Sequence, residues 1–282
     1  FCLALIREFP LEADLEPGFR LADETEIPRF VSQALDRALR VCRAVARREE
    51  PVALVFAQIP ERNIRRGLEQ LLGRRGVAQR ALAGFLDRGP RDLTARDAIG
   101  TGLARLRAAL DGADGGARAF LACGPLADRK YAIFKRDVEM LLDADPGAGD
   151  AVALDAGLVQ AALFRVRQHF FTADQKSRQR LLYRVRQFGS RDDYERHRDG
   201  VISLAEPVRD AIRAFQRDLN VVLARGVWQM FQIARREYDR TLEAHASLDF
   251  SEVLDRAVRL LGQMDEFARS RYRLESRYHH VL

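Results

Sequence analysis

Residues 27–48, I-P-R-F-V-S-Q-A-L-D-R-A-L-R-V-C-R-A-V-A-R-R, indicate the fold class. The apolar residues of this stretch recur at intervals of three and four, which places them on one face of an α-helix. They are Phe30, Val31, Ala34, Leu35, Ala38, Val41 and Cys42. Asp23 or Thr25 can cap the start of the helix. The stretch therefore predicts an amphipathic helix that packs one face into a core.

The same spacing recurs over most of the chain. It predicts helices at residues 63–74, 77–87, 94–110, 151–188, 202–224, 227–244 and 251–267, with an interruption near residues 172–174 and a break or kink at Gly226. Two Gly-rich loops, 111–116 and 143–150, divide the helices. Short strands are expected at residues 19–22 and 277–282. The predicted fold is mainly α.

Composition limits the class of protein. The chain has 282 residues, of which 47% are hydrophobic and 31% charged. No apolar run reaches the roughly 18 residues of a membrane span, so no membrane contact is expected. The cysteines Cys2, Cys42 and Cys123 lack CxxC spacing, which favours a reducing cytoplasm. The five histidines are isolated or, at 279 and 280, point to opposite sides of a strand, so no metal site is predicted.

The net charge is +6, and almost all positive charges are arginines, since the chain has only the lysines Lys130, Lys135 and Lys176. The forked guanidinium suits phosphate recognition. If residues 176–188 form a helix, Lys176, Arg180 and Arg184 share one face, and Leu181, Leu182, Val185 and Phe188 share the opposite face. Arg178 and Arg186 flank them. Two interpretations remain open: a face that binds phosphates, and a solvated face paired with acids.

Two further stretches favour structural roles. Asp249 and Glu252 have the spacing of an N-cap and capping box, and Phe250 begins the apolar stripe of the following helix. Trp228, Phe231, Ala234 and Tyr238 form another helical stripe. Core packing is the expected role of that stripe, with base stacking as the alternative.

Three regions of the chain, which contain five short segments, resemble UvrD-like superfamily 1 DNA helicases of the AddA/RecB type. Residues 248–254, L-D-F-S-E-V-L, are similar to the family's L-D-F-x-x-L segment, and residues 277–282, R-Y-H-H-V-L, to the strand that precedes its Walker B motif. Residues 1–8, F-C-L-A-L-I-R-E, and 17–23, P-G-F-R-L-A-D, resemble the region after the T-x-H motif. Residues 170–178 resemble an F-L-T-x-x-G-x-x-R stretch, with Gln175 where glycine is commoner.

The resemblance implies an internal fragment of a larger helicase. Residues 1–28 and 226–282 would belong to the first RecA-like domain, and residues 29–225 would form a helical 1B-like insert. The parent would be an ATP-dependent 3′–5′ DNA helicase of double-strand-break repair and recombination, using ATP and Mg²⁺, and typically joined to a nuclease domain and a partner subunit. It would act on single-stranded and fork DNA in the bacterial cytoplasm, at the nucleoid. Phe1 would survive from the DNA-contacting motif.

The chain itself contains no G-x-x-x-x-G-K-(S/T) loop and no nucleophile signature, so it carries no predicted catalytic or cofactor-binding residue. The fragment alone is expected to bind no cofactor and to hydrolyse no ATP. Its predicted DNA-binding residues are Phe1, Lys176, Arg178, Arg180 and Arg184, and its structural motif is Asp249, Phe250 and Glu252. The alternative is a stand-alone helical module that binds nucleic acid or protein.

Overall fold

A computed structural model describes residues 1–16, 18–144 and 156–263. Within these ranges the predicted mainly α fold is confirmed, with eleven α-helices and one two-stranded sheet. The helices are α1 Cys2–Glu8, α2 Ile27–Val45, α3 Glu50–Gln58, α4 Glu61–Gly73, α5 Arg75–Leu86, α6 Ala95–Asp111, α7 Gly116–Ala122, α8 Arg129–Asp143, α9 Ala156–Phe170, α10 Arg191–Ala244 and α11 Phe250–Gln263. The strands are β1 Arg20–Leu21 and β2 Ser247–Leu248, and a short 3₁₀ turn covers Val185–Gln187.

The chain forms two compact units, and both are discontinuous in sequence. Unit 1 contains Phe1–Cys42, Arg65–Arg75 and the described residues from Met230 onward. Unit 2 contains Arg43–Ile64 and Gly76–Gln229. The predicted boundaries are at residues 28/29 and 225/226. The assignment of the two ends to a RecA-like domain stays a prediction.

Unit 1 has a small core in which α1 packs on α11. Leu5 and Ile6 of α1 are fully buried, and they contact a strip on α11. That strip is Val253, Ala257 and Leu260. Beside it, β1 and β2 pair in parallel, with Arg20 opposite Ser247 and Leu21 opposite Leu248.

Unit 2 has the larger core, to which helices α6 to α10 contribute. The side chains of Leu106 and Leu110 on α6, Val138 on α8 and Val166 on α9 are almost completely buried there. Thr94 begins α6 with a complete capping box: its hydroxyl accepts from the Asp97 amide at 3.0 Å, and the Asp97 carboxylate accepts from the Thr94 amide at 3.1 Å. The predicted start of this helix is confirmed.

The predicted break at Gly226 is wrong, because this residue lies inside helix α10. The helix runs without interruption from Arg191 to Ala244, through both Pro207 and Gly226. Gly226 is needed for packing instead, because a Cβ atom at this position would lie 2.1 Å from the backbone oxygen of Pro51 in α3. A glycine here therefore marks a close approach of two backbones rather than a helix end.

The predicted helix at residues 176–188 is wrong. After α9 the chain turns back in a short hairpin, with Phe171 bridged to Ser177, and then continues without α-helix to residue 190. The reason is that Tyr183 and Phe188 are the buried side chains of this stretch, whereas Leu182 and Val185 are about half exposed. The predicted strand at residues 277–282, and residues 264–267 of the predicted last helix, lie outside the described residues.

Candidate nucleic-acid interface

The hairpin of residues 170–178 carries the first two of the predicted cations. It closes through hydrogen bonds from the Thr172 amide to the Lys176 carbonyl at 2.9 Å and from the Arg178 amide to the Phe170 carbonyl at 2.9 Å. Gln175 occupies the turn with φ of 63°, a left-handed conformation that glycine adopts most easily. The backbone geometry at Gln175 therefore favours glycine, the residue that is commoner at this position of the helicase stretch that residues 170–178 resemble.

The cations do not share a helix face as predicted, because the helix is absent, but they are available to solvent. Lys176, Arg180 and Arg184 are exposed, and their side chains have no acidic partner among the described residues. Arg178 is half-buried, and its Nε donates to the Gln168 carbonyl at 3.1 Å. Three cations are thus free to meet phosphates, while Arg178 ties the hairpin to α9.

Arg209 of α10 holds the hairpin from the other side. Its guanidinium lies 4.8 Å from the centre of the Phe171 ring and donates to Ser177 Oγ at 2.8 Å and to the Gln175 carbonyl at 3.3 Å. The Glu206 carboxylate accepts two further hydrogen bonds from it, at 2.5 and 2.7 Å. Since Glu206 neutralises this arginine, Arg209 positions the hairpin rather than adding a free charge.

A cavity of about 130 Å³ lies beneath the hairpin, and three arginines line it. Arg209 is engaged as described, and Arg167 donates from Nε to the side-chain oxygen of Gln175 at 2.5 Å. Arg213 is exposed and has no acidic partner among the described residues. No carboxylate is among the described residues that line this cavity. The site can therefore accept an anion such as a phosphate group.

A larger cavity, of about 890 Å³, lies in unit 1, but its charge is unsuited to phosphate. Six carboxylates and three arginines line it: Asp14, Glu16, Asp239, Glu243, Glu252 and Asp255, with Arg235, Arg256 and Arg259. Burial, followed by the nearby Glu252, raises the pKa of Asp239. The lining charges therefore make the arginine-lined site of unit 2, and not this larger cavity, the candidate site for a phosphate group.

Asp249 lies in a buried hydrogen-bond network of unit 1 whose arginine the sequence analysis did not predict. The guanidinium of Arg75 donates to its two oxygens at 2.8 and 2.5 Å, and the Tyr238 hydroxyl donates at 2.8 Å. The Glu252 amide donates to Asp249 Oδ1 at 2.8 Å, which is the bond an N-cap makes. Burial opposes the charged carboxylate, but the bonds and charge of Arg75 lower the pKa of Asp249 below its usual range.

Glu252 and Phe250 do not have the side-chain roles that were predicted for them, and Phe1 belongs to unit 1. The Glu252 carboxylate accepts from Arg256 Nε at 2.8 Å instead of closing a capping box. Phe250 is 69% exposed, so its expected place in a buried stripe is wrong, because α1 covers only the Val253, Ala257 and Leu260 strip of α11. Phe1 is 50% exposed and precedes α1 in unit 1, whereas the four predicted cations belong to unit 2.

His169 and His197, expected to be isolated, form a buried pair in unit 2. Their Nε2 atoms are 3.2 Å apart, and His197 Nδ1 lies 3.3 Å from the Phe120 carbonyl. His197 therefore donates through Nδ1 and accepts through Nε2 from His169, which leaves His169 Nδ1 without a partner among the described residues. Burial lowers the pKa of His197 to about 4 and, with His197 and Arg178 nearby, that of His169 well below its usual value.

Other classes of site find no support in the described residues. No group of three or more histidine, cysteine or acidic side chains in these ranges could hold a metal ion. No helix in the same ranges combines the length and the low charge that a bilayer-spanning segment requires. The described cysteines are free thiols, and burial raises the pKa of Cys42 to about 11.

Comparison of the chain with protein-family models, with curated proteins and with solved structures gave no match. The resemblance to UvrD-like helicases therefore depends on the quoted segments alone. Two of them fold into neighbouring parts of unit 1: residues 1–8 supply α1, and residues 248–254 supply the end of β2 and the start of α11.

Proposed function

We propose that the chain binds DNA as the helical accessory region of a UvrD-like helicase of the AddA/RecB type. The observation that carries the DNA-binding part is a set of four exposed cations of unit 2 that have no acidic partner among the described residues. They are Lys176, Arg180, Arg184 and Arg213, of which Arg213 lines the arginine-lined cavity. When such cations neutralise phosphates, the DNA releases the counterions condensed on it, and this release is the main source of sequence-independent affinity.

The hairpin gives this surface a fixed shape. Arg209 and Arg178 tie it to α10 and α9, so Lys176 projects from a held turn. Phosphate contacts of this type position a protein on nucleic acid and carry no sequence information. The proposed role is therefore to bind the DNA backbone independently of the base sequence.

The helicase part of the proposal rests on the segment resemblance. The parent protein would use ATP and Mg²⁺ to move 3′ to 5′ along DNA during double-strand-break repair and recombination, together with a partner subunit. In the parent, the ATP-handling motifs would come from other parts of the polypeptide. Residues 1–282 would supply DNA contact and scaffold.

The DNA grip is tested with a triple substitution, Lys176→Ala, Arg180→Ala and Arg184→Ala. Binding of a labelled DNA duplex is measured as a function of salt concentration for the wild-type parent helicase and for the same protein with the three substitutions. Loss of three phosphate contacts should make the negative slope of log K against log salt less steep, by about 2 to 3. A matched control removes three charges from exposed arginines elsewhere, Arg62, Arg66 and Arg74. Equal slopes for both variants and the wild type would overturn the proposed grip.

The family is tested by the gene sequence on both sides of this reading frame. A G-x-x-x-x-G-K-(S/T) loop and a T-x-H motif upstream, with V-D-E-x-Q-D directly after Leu282, would support the helicase. A start codon next to Phe1 and a stop codon after Leu282 would overturn it. The chain would then be a stand-alone helical nucleic-acid-binding module, the alternative that the sequence left open.

A further inference from the structure

A groove of about 480 Å³ runs between α9 and α10 and continues the arginine-lined cavity. The two share Arg167, Ile212 and Gln216 among their lining residues. Gln160, Phe164 and Arg167 recur along one face of α9, and Arg209, Arg213, Gln216 and Asn220 along one face of α10. The groove floor is apolar and consists of Leu163, Ile212, Phe215 and Leu219.

The walls of the groove are rich in amides. Gln160, Gln216 and Asn220 line it, and their side chains have no hydrogen-bond partner among the described residues. A primary amide offers both donors and an acceptor, which matches the mixed donor and acceptor edge of a nucleobase. No carboxylate is among the described residues that line the groove, so the walls do not repel a phosphodiester.

Phe164 is the aromatic residue at the rim of the groove. It is 57% exposed although it stands beside buried Leu163, so an apolar ring faces solvent between the amides and Arg167. An exposed aromatic ring in a groove lined by amides and by Arg167 offers a stacking platform for a base. Stacking on the face of a base requires that the base is unpaired and unstacked from its neighbours.

We propose that this groove binds single-stranded nucleic acid. A base stacks on Phe164, amides of Gln160, Gln216 and Asn220 contact base edges, and Arg167 and Arg213 meet the backbone. The inference rests on the proposed function and adds to it a preference for unpaired strands. The volume lies within the roughly 300 to 1,000 Å³ of ligand sites, and the α10 wall from Arg209 to Asn220 extends about 16 Å, so a short stretch of nucleotides fits.

The test compares fluorescein-labelled oligothymidine and a hairpin duplex in anisotropy titrations at low salt, with the full chain. Phe164→Ala should weaken oligothymidine binding by about tenfold, because base stacking is removed, and leave duplex binding unchanged. Leu158→Ala is the control, since Leu158 is equally exposed on another face of α9, at 59%, and does not line the groove. Circular dichroism confirms that each variant is folded.

Phe164→Trp supplies a second measurement. It should restore the affinity for oligothymidine, and its fluorescence should be quenched when the strand is added. A Phe164→Ala variant that binds oligothymidine like the wild type would overturn the groove while leaving the duplex grip in place. A wild-type chain that binds neither probe at low salt would overturn both this inference and the proposed DNA binding.

Discussion

Arg75 and Asp249 lie 174 residues apart in the chain and form a buried, two-pronged ion pair, with nitrogen–oxygen distances of 2.5 and 2.8 Å. Both side chains are about nine-tenths buried. Tyr238 completes the site: its hydroxyl donates to Asp249, and its ring lies 5.6 Å from the Arg75 guanidinium. The pair therefore joins the start of α5, the end region of α10 and the start of α11 within unit 1.

Removal of one partner of this pair should destabilise unit 1 strongly. Asp249→Asn removes the nearer counter-ion of the buried Arg75 and leaves only the Glu252 carboxylate, at 3.9 Å, so a loss of about 3 kcal/mol in the free energy of unfolding is expected. The exposed pair of Arg65 and Asp36, at 2.5 Å, provides the control. Asp36→Asn should cost less than about 1 kcal/mol. Urea unfolding measures both, and equal losses would contradict the role of burial.

Two glycines in helices should respond oppositely to alanine. At Gly226 an added Cβ would meet the Pro51 carbonyl oxygen at 2.1 Å and Val55 Cγ2 at 2.7 Å, so α3 and α10 must separate. Gly226→Ala should lower the melting temperature by several degrees, the effect of an overpacking cost of about 1 to 3 kcal/mol. Gly67 in α4 has no atom within 4 Å of an added Cβ. Gly67→Ala should stabilise by up to about 1 kcal/mol, and a stabilised Gly226→Ala would refute the close approach.

The histidine pair predicts a loss of stability in mild acid. Burial lowers the pKa of His197 to about 4, whereas the unfolded value is about 6.5. Between these values the unfolded chain binds more protons, so the free energy of unfolding falls as the pH decreases from about 6.5 to about 4. The expected contribution of His197 is on the order of 3 kcal/mol.

Two measurements check this pH dependence. Urea unfolding should give a lower free energy of unfolding at pH 5 than at pH 7. The difference between the two pH values should be smaller in His197→Leu. NMR of the imidazole protons should show no titration of His197 above about pH 5 in the folded chain. A His197 signal that titrates near its ordinary value would contradict the buried neutral pair, whatever the stability of the variant.

The capping box of α6 should contribute measurably to the stability of unit 2. Thr94→Ala removes the hydroxyl that accepts from the Asp97 amide, and the expected cost is about 1 kcal/mol in the free energy of unfolding. Thr94→Ser keeps the acceptor and should cost only a few tenths of that amount. Equal destabilisation by both changes would indicate that the methyl group, rather than the cap, matters.

Local patterns account for what the sequence predicted well. The spacing of Phe30, Ala34 and Leu35 identified α2, and Thr94 marked the start of α6, because both signals lie within a few residues. The helix predicted at residues 176–188 does not form, although the apolar spacing fits one. Tyr183 and Phe188 pack against aromatic side chains of the unit 2 core, and the non-helical backbone allows this packing. Periodicity does not reveal which apolar residues find a tertiary partner.

The Arg75–Asp249 pair and the candidate groove both combine distant parts of the chain, which local patterns do not predict. Arg75 lies 174 residues from Asp249, and nothing in its own helix indicates such a partner. The groove likewise combines α9 with the middle of α10, and each helix alone shows only scattered amides and arginines. Gln175 is the exception, because the sequence alone shows that it replaces the glycine of the helicase stretch it resembles, and the structure places it at positive φ.

The positive charge around the hairpin and the groove comes almost entirely from arginine side chains. Among the cations around the hairpin and groove, only Lys176 carries an amine. An acetyl group can neutralise that amine, whereas guanidinium groups keep their charge across the physiological pH range. Acetylation of Lys176 would therefore remove one positive charge from this surface and leave the charges of its arginines in place.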